Sequence, residues 1–371
     1  MTSTKDPAVS LLLETLKTYS VSTKEEKLSK LLRERMRQRG FKDVRTDKAG
    51  NAIGSVGSGH PHVLFCGHMD TVPGFLTVRV DGDRVYGRGA ADAKSPMCAM
   101  ISALSGGSVP EGMKVTMACV TREEGYSLGV ETLIGSGGDY DYAVFGEPAG
   151  AARVTVGYRG RTAARVTVKT HGGHASSSWA HPSAVDESLG IMSLIKEYEK
   201  KNTVEGNHYR SLSASLTVIK GGAYSNVVPK KCEMTFDVRI PPGTGASRVK
   251  EDLAAVVEGY ARMKGGIDAK VEFDGSTEPY DAPLDSVVVR AFQRSILKVL
   301  GTRPVLTHKT GTGDMNTLAQ EMGIPCLTYG PADSNLGHTE MEFVDIPDYL
   351  GSIKVLSGAL REIKTLHGRG D

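Results

Sequence analysis

The chain has 371 residues, 39% of them hydrophobic and 24% charged, which is the make-up of a globular protein large enough for two domains. Its formal net charge of +2 speaks against nucleic acid or an anionic membrane as a partner. There is no apolar run of about 18 residues or more, and Met1-Thr2-Ser3-Thr4-Lys5-Asp6-Pro7 has no basic-then-apolar signal pattern. A cytoplasmic protein is expected. Its five cysteines, Cys66, Cys98, Cys119, Cys232 and Cys326, form no Cys-x-x-Cys pair and read as buried, reduced thiols.

The first elements are amphipathic helices over residues 8–19 and 23–39, the second with Thr23 and Glu26 as a capping box and Gly40 as its stop. Short strands follow near 42–46 and 51–56. Residues 62–66 form an apolar run suited to a strand buried on both faces, and it leads into Gly67-His68-Met69-Asp70-Thr71. A hairpin is expected around Asp81-Gly82-Asp83. Ser95-Pro96 reads as the N-cap and first-turn proline of a helix through Leu104. Buried strands are expected at 114–121, 141–145 and 324–329. They end in Thr121-Arg122-Glu123-Glu124-Gly125, in Gly146-Glu147-Pro148, and in Gly330-Pro331 followed by His338. Apolar strands interleaved with helices indicate an α/β fold with a largely parallel sheet, and ligands collect beyond the carboxyl ends of such strands.

The middle of the chain reads differently. Strands fit 153–170, 212–219, 232–240 and the stretch around Val271-Glu272-Phe273, with helices at 183–200 and 247–263. This β-α-β-β-α-β order predicts an inserted ferredoxin-like α+β domain over 158–276, flanked by a catalytic domain built from 1–157 and 277–371. Helices at 285–300 and within 341–366 complete the chain.

The candidate ligands are His68, Asp70, Asp92, Glu123, Glu124, Glu147 and His338. Two imidazoles with several carboxylates suit zinc, with cobalt or manganese as alternatives, better than calcium or magnesium. There are more carboxylates than one tetrahedral zinc needs, and a two-metal site with one bridging carboxylate would use them. Adjacent acids such as Glu123-Glu124 repel each other unless a cation compensates. Dividing the roles, with one as ligand and the other as general base, removes that conflict.

These residues, read as Gly67-His68-Met69-Asp70-Thr71-Val72-Pro73, Gly87-Arg88-Gly89 with Asp92 and Lys94, Glu123-Glu124-Gly125, Gly146-Glu147-Pro148 and the late His338, resemble the di-zinc aminoacylase and desuccinylase peptidases. The resemblance implies that His68 and Glu147 bind one zinc, Glu124 and His338 the other, and Asp92 bridges. It implies that Asp70 orients His68 and that Glu123 is the general base. It also implies that the inserted domain dimerises and acts as a lid, with His174 of Gly172-Gly173-His174-Ala175 reaching a neighbouring site to stabilise the oxyanion. Arg239, Asn226 and the loop Lys309-Thr310-Gly311 match substrate-contacting positions of the family. An arginine fork suits a substrate carboxylate, and an asparagine amide can donate to an oxyanion. Ser95 and Gly313 depart from the usual glycine and serine of the family.

Within the family, Gly89-Ala90-x-Asp92-Ala93-Lys94, Lys309-Thr310-Gly311-Thr312 and Gly330-Pro331 through His338-Thr339 resemble the branch that releases lysine or ornithine from the acidic carrier protein LysW. Arg153, Arg159, Arg161, Arg165 and Lys169 are candidates to steer an acidic carrier, against the alternative of a solvated basic face. An N-acyl-amino-acid deacylase, such as acetylornithine deacetylase or succinyl-diaminopimelate desuccinylase, is the neighbouring alternative. A catalytically inactive binding protein is the alternative of another class. The missing Gly-x-x-x-x-Gly-Lys-Ser/Thr and Gly-x-Gly-x-x-Gly orders exclude a P-loop and a dinucleotide dehydrogenase.

Overall fold

The computed structural model describes residues 5–125 and 127–368. It divides into two compact units. The first takes in the chain up to Gly157, then Ala282–His308 and Gly313 onwards, and the second takes in Tyr158–Asp281 with Lys309–Thr312.

The first unit is built on a mixed sheet. Seven of the nine strands of this sheet are, in spatial order, Lys42–Thr46, Ala52–Gly57, Lys114–Val120, His62–His68, Tyr142–Phe145, Cys326–Thr328 and Arg153–Tyr158. The four from Lys114–Val120 to Cys326–Thr328 run parallel, and the strands beside them are antiparallel. All seven residues of His62–His68 are buried, as the apolar run requires of a central strand covered on both faces. Helix Lys94–Ala103 packs on this strand and against helix Ile346–His367. Gly67 allows that approach, since a Cβ there would meet the Met97 Cβ at 3.3 Å. The pairings His68 with Val120, Cys66 with Phe145 and Phe145 with Thr328 align the carboxyl ends of the four parallel strands at one edge. The loops carrying Asp70, Glu123-Glu124, Glu147 and His338 therefore leave the sheet together, as the topology of open α/β sheets leads one to expect.

The second unit follows the β-α-β-β-α-β order. Strands Ser213–Gly221, Lys231–Ile240, Gly160–Lys169 and Asp268–Thr277 form an antiparallel sheet in that spatial order. Val166, Val168, Met234, Phe236 and Val238 alternate with more exposed residues and pack with Ile191 and Ile195 of helix Ala184–Lys201 and Val249, Leu253 and Val257 of helix Ala246–Lys264. The stretch 158–276 lies inside this unit.

Some expected elements take other forms. Residues 153–170 are two strands, Arg153–Tyr158 in the sheet of the first unit and Gly160–Lys169 in that of the second. Thr23 does not cap its helix. It sits at φ +76°, outside the extended region an N-cap needs, and the Glu25 carboxylate accepts from its N–H at 3.0 Å and from that of Arg122 at 3.1 Å. Helix Lys94–Ala103 starts one residue before the expected cap, so Ser95 lies buried in its first turn. Pro96 is tolerated there because first-turn N–H groups have no intrahelical acceptor. The loop at 309–314 ends in a helix, Asp314–Met322, entered through Gly313. The Asn316 Oδ1 accepts from the Gly313 N–H at 3.3 Å. All five cysteines are buried thiols that form no disulfide.

Candidate active site

His68 ends the central strand with its side chain 1% exposed. Its Nδ1 lies 3.0 Å from the main-chain oxygen of Asp70 and 3.5 Å from Asp70 Oδ1. A proton on Nδ1 satisfies this contact and leaves the Nε2 lone pair as the donor to a metal, the usual arrangement of a ligating imidazole. Asp70 is fully buried and serves as a junction. Its Oδ1 accepts from the Glu123 N–H at 3.1 Å, and its Oδ2 accepts from the Glu124 N–H at 3.2 Å and the Ser22 hydroxyl at 2.6 Å. Burial pushes this carboxyl up, but His68, Ser22 and the Glu123 N–H outweigh it and hold Asp70 down at about 2. One carboxylate thus orients the imidazole and also braces the paired-acid turn.

Asp92 lies between two imidazoles. Its Oδ1 is 3.1 Å from His68 Nε2, and its Oδ2 is 3.5 Å from His338 Nε2. Glu147 Oε1 is 3.7 Å from His68 Nε2, and Glu124 Oε1 is 2.9 Å from His338 Nε2. His338 adopts φ +64°, and Gly337 before it lets that loop close on Asp92, since a Cβ there would meet Asp92 Oδ2 at 2.8 Å. Donor atoms of His68, Asp92 and Glu124 lie within 4.8 Å of one another. Imidazole nitrogens with carboxylate oxygens at this spacing are the donor set of a zinc-type divalent cation. Burial, with Asp92 beside it, raises the Glu124 carboxyl. Burial also raises Glu123 well above the ordinary carboxylate range, and Glu147, Asp314 and Asp92 add to the shift against the opposing pull of His68. Carboxylates crowded in this way need a proton or a cation to offset their repulsion, so the residues present fit a metal.

The matching family model is the one described as Peptidase family M20/M25/M40, and it spans residues 64–362. This chain belongs to that family. The M20-family chain is 33% identical over 372 residues to a [LysW]-lysine hydrolase of Deinococcus radiodurans, covering 98% of this chain and 99% of the relative. It is 36% identical over 354 residues to a putative [LysW]-lysine/[LysW]-ornithine hydrolase of Pyrobaculum aerophilum, covering 95% and 96%. Among solved structures it resembles a tripeptidase of Staphylococcus aureus, with a TM-score of 0.82 at 19% identity covering 96% and 98%. It also resembles a dinuclear metal-binding M20 peptidase of Bacillus subtilis, with a TM-score of 0.75 at 14% identity covering 96% and 98%. These two likenesses establish the fold.

The other candidates of the M20-family chain lie in its second unit. His174 is exposed at the end of the short strand Gly173–His174, which pairs with Val227–Val228. Its Nδ1 accepts from the Ser176 N–H at 3.2 Å, so Nε2 carries the proton in the neutral ring. The Asn226 carbonyl accepts from the Ala175 N–H at 3.0 Å, which brings Asn226 beside His174. Arg239 spends part of its fork on Asp237, with Nε 2.6 Å from Oδ1, and gives Nη1 to the Thr312 hydroxyl at 3.3 Å. Lys309 extends over the Tyr158 ring, with Nζ 5.9 Å from its centroid. The main-chain oxygen of Thr310 accepts from Arg159 Nε at 2.9 Å, and Gly311 follows in the same short loop.

Arg159 is therefore not a steering residue. It is 9% exposed, and its Nη1 also donates to the Ser211 carbonyl at 3.1 Å. Arg161 pairs with Asp237 at 2.7 Å and Arg165 with Asp274 at 2.5 Å, which agrees with a solvated, ion-paired face rather than a dedicated docking patch.

Two residues of the M20-family site escaped the sequence reading. Asp314 opens its helix with both carboxylate oxygens buried, and burial pushes it up to about 6 against the opposing effect of Ser127. An acid directly after a Gly-Thr-Gly loop and before an apolar helix was the available signal. The second is Glu342, whose carboxylate is wholly buried against Arg88. An acid beside the apolar pair Phe343-Val344 was the signal there.

Proposed function

We propose that this M20-family chain hydrolyses the amide that joins lysine or ornithine to a carrier protein of the LysW type, in amino-acid biosynthesis in the cytoplasm. The reaction class rests on one observation: Asp92 presents one carboxylate oxygen to each of two imidazoles, His68 and His338. The substrate rests on the names of relatives matched along nearly the whole chain.

His68 and Glu147 would hold one divalent cation and Glu124 and His338 another, with Asp92 shared, zinc being the expected metal and cobalt a substitute. Such a pair, when bound, supplies Lewis-acid polarisation of the scissile carbonyl. Glu123 is the general base. Its raised carboxyl affinity for protons suits it to take a proton from the attacking water and return it to the leaving amine. Asp70 keeps the His68 ring in one tautomer and fixes the Glu123 backbone. His174, with its proton on Nε2, is the proposed donor to the developing oxyanion, with the Asn226 amide beside it. Arg239 is the proposed partner of a substrate carboxylate, and Lys309, Thr310 and Gly311 a substrate-facing loop. A homodimer through the second unit is supported by its edge strand Ser213–Gly221, where Val218 and Ile219 are exposed.

The deciding experiment exposes purified protein to zinc, measures the metal it retains, and incubates it with LysW-lysine and with N-acetylornithine in separate reactions. Release of free lysine from the carrier is expected. Turnover of only the acetylated amino acid would replace the substrate with that of a deacylase. Absence of both activities and of bound metal would replace the enzyme with a binding protein.

A further inference from the structure

The loop from Gly87 to Asp92 must place the Asp92 carboxylate between two imidazoles. A buried ion pair between its own Arg88 and the distant Glu342 provides the anchor. Glu342 Oε1 accepts from three main-chain N–H groups, those of Gly89 at 2.9 Å, Ala91 at 3.0 Å and Asp92 at 3.0 Å. Its Oε2 accepts from Arg88 Nη1 at 2.8 Å. Successive N–H groups converging on one point form an anion nest, and here the anion is a side chain of the same chain. The Arg88 guanidinium reaches further, donating to the Thr339 carbonyl at 3.1 Å and to the Gly74 carbonyl at 3.1 Å. Thr339 follows His338, so the same pair ties down the loop that carries the second imidazole.

We infer that Glu342 and Arg88 are positioning residues of the metal centre, setting the Asp92 and His338 loops against each other. The inference rests on the metal reading proposed above. The Asp92 N–H is itself one of the three donors held by Glu342, so the anchor acts directly on the backbone of the shared ligand. If Glu342 were removed, three N–H donors and a guanidinium would lose their acceptor in a buried site, and the loop would turn to find others. Outer partners that orient ligands in this way typically govern metal affinity by about 10–100-fold.

The test is a cobalt(II) titration of metal-stripped protein, followed by competition with a chelator and by the visible absorption spectrum, on wild type, Glu342→Gln and Arg88→Met. The glutamine keeps the shape and removes the charge. Expected are a loss of about 10–100-fold in affinity for at least one bound equivalent and a changed absorption spectrum in Glu342→Gln, with a smaller loss in Arg88→Met. A folded Glu342→Gln with wild-type cobalt affinity and spectrum would overturn the inference, because a purely structural pair lowers melting temperature without altering the ligand field. If Glu342→Gln does not fold, Arg88→Met decides on the same two readings. A wild-type protein that takes up no cobalt would instead overturn the metal reading on which the inference stands.

Discussion

Glu123 and Glu124 are neighbours in sequence with different surroundings. Glu124 meets an imidazole directly, with its Oε1 2.9 Å from His338 Nε2. Glu123 is raised by burial and by carboxylates around it, and its main chain is pinned by Asp70. That contrast is what a ligand and a general base require. Glu123→Ala should retain both metal equivalents and lose hydrolysis by about 10²–10⁴-fold or more, measured as metal content beside kcat. Retained activity would remove Glu123 from the mechanism.

At the scale of elements, the loop Lys309–Thr312 belongs to the second unit although the chain on either side of it belongs to the first. Arg159 explains this attachment. Its Nε holds the Thr310 carbonyl and its Nη1 the Ser211 carbonyl, while the Thr312 hydroxyl donates to the Arg159 carbonyl at 2.7 Å. Arg159→Met keeps the aliphatic bulk and leaves those carbonyls without their charged donor, at a cost of about 1–3 kcal/mol. The variant should raise KM more than it lowers kcat and leave metal content unchanged. Steady-state kinetics with the carrier substrate and metal analysis check both points. An unaltered KM would show that the loop needs no such anchor.

For the whole molecule, the division into two units makes metal removal a selective perturbation. Every proposed ligand lies in the first unit, with His68 at the end of its central strand and Glu124, Glu147 and His338 on loops beyond the same edge of its sheet. Stripping the metal should free the crowded carboxylates to repel one another and lower the melting temperature of that unit by on the order of 10 °C. Hydrogen exchange should rise in the loops around Asp92, Glu123-Glu124, Glu147 and His338. The sheet of the second unit, whose core is the set around Val166, Met234 and Phe236, should exchange as before. Uniform loosening of both units would count against this picture.

What the sequence determined by itself follows from short-range physics. Alternating apolar residues and the helix periods specify the strands and helices, because side-chain period is a local property of the backbone. The order of elements was enough for an α/β unit interrupted by a β-α-β-β-α-β unit, and the candidate ligands His68, Asp92, Glu124, Glu147 and His338 stood out because each follows an apolar strand or sits in a compact motif. What only the tertiary structure decided lies where distant segments meet. Arg159 read as one of several surface cations until its Nε was seen on Thr310, 151 positions away. Glu342 was not among the candidates, and only the fold brings three N–H groups some 250 positions earlier onto its oxygen. Thr23 lies two residues before the N-cap position and gives its N–H to the Glu25 carboxylate, which also holds that of Arg122. The proposed ligands are marked in the sequence by their residue type. The groups that hold them in place use common residue types, and their role is set by partners that only folding brings within hydrogen-bond distance.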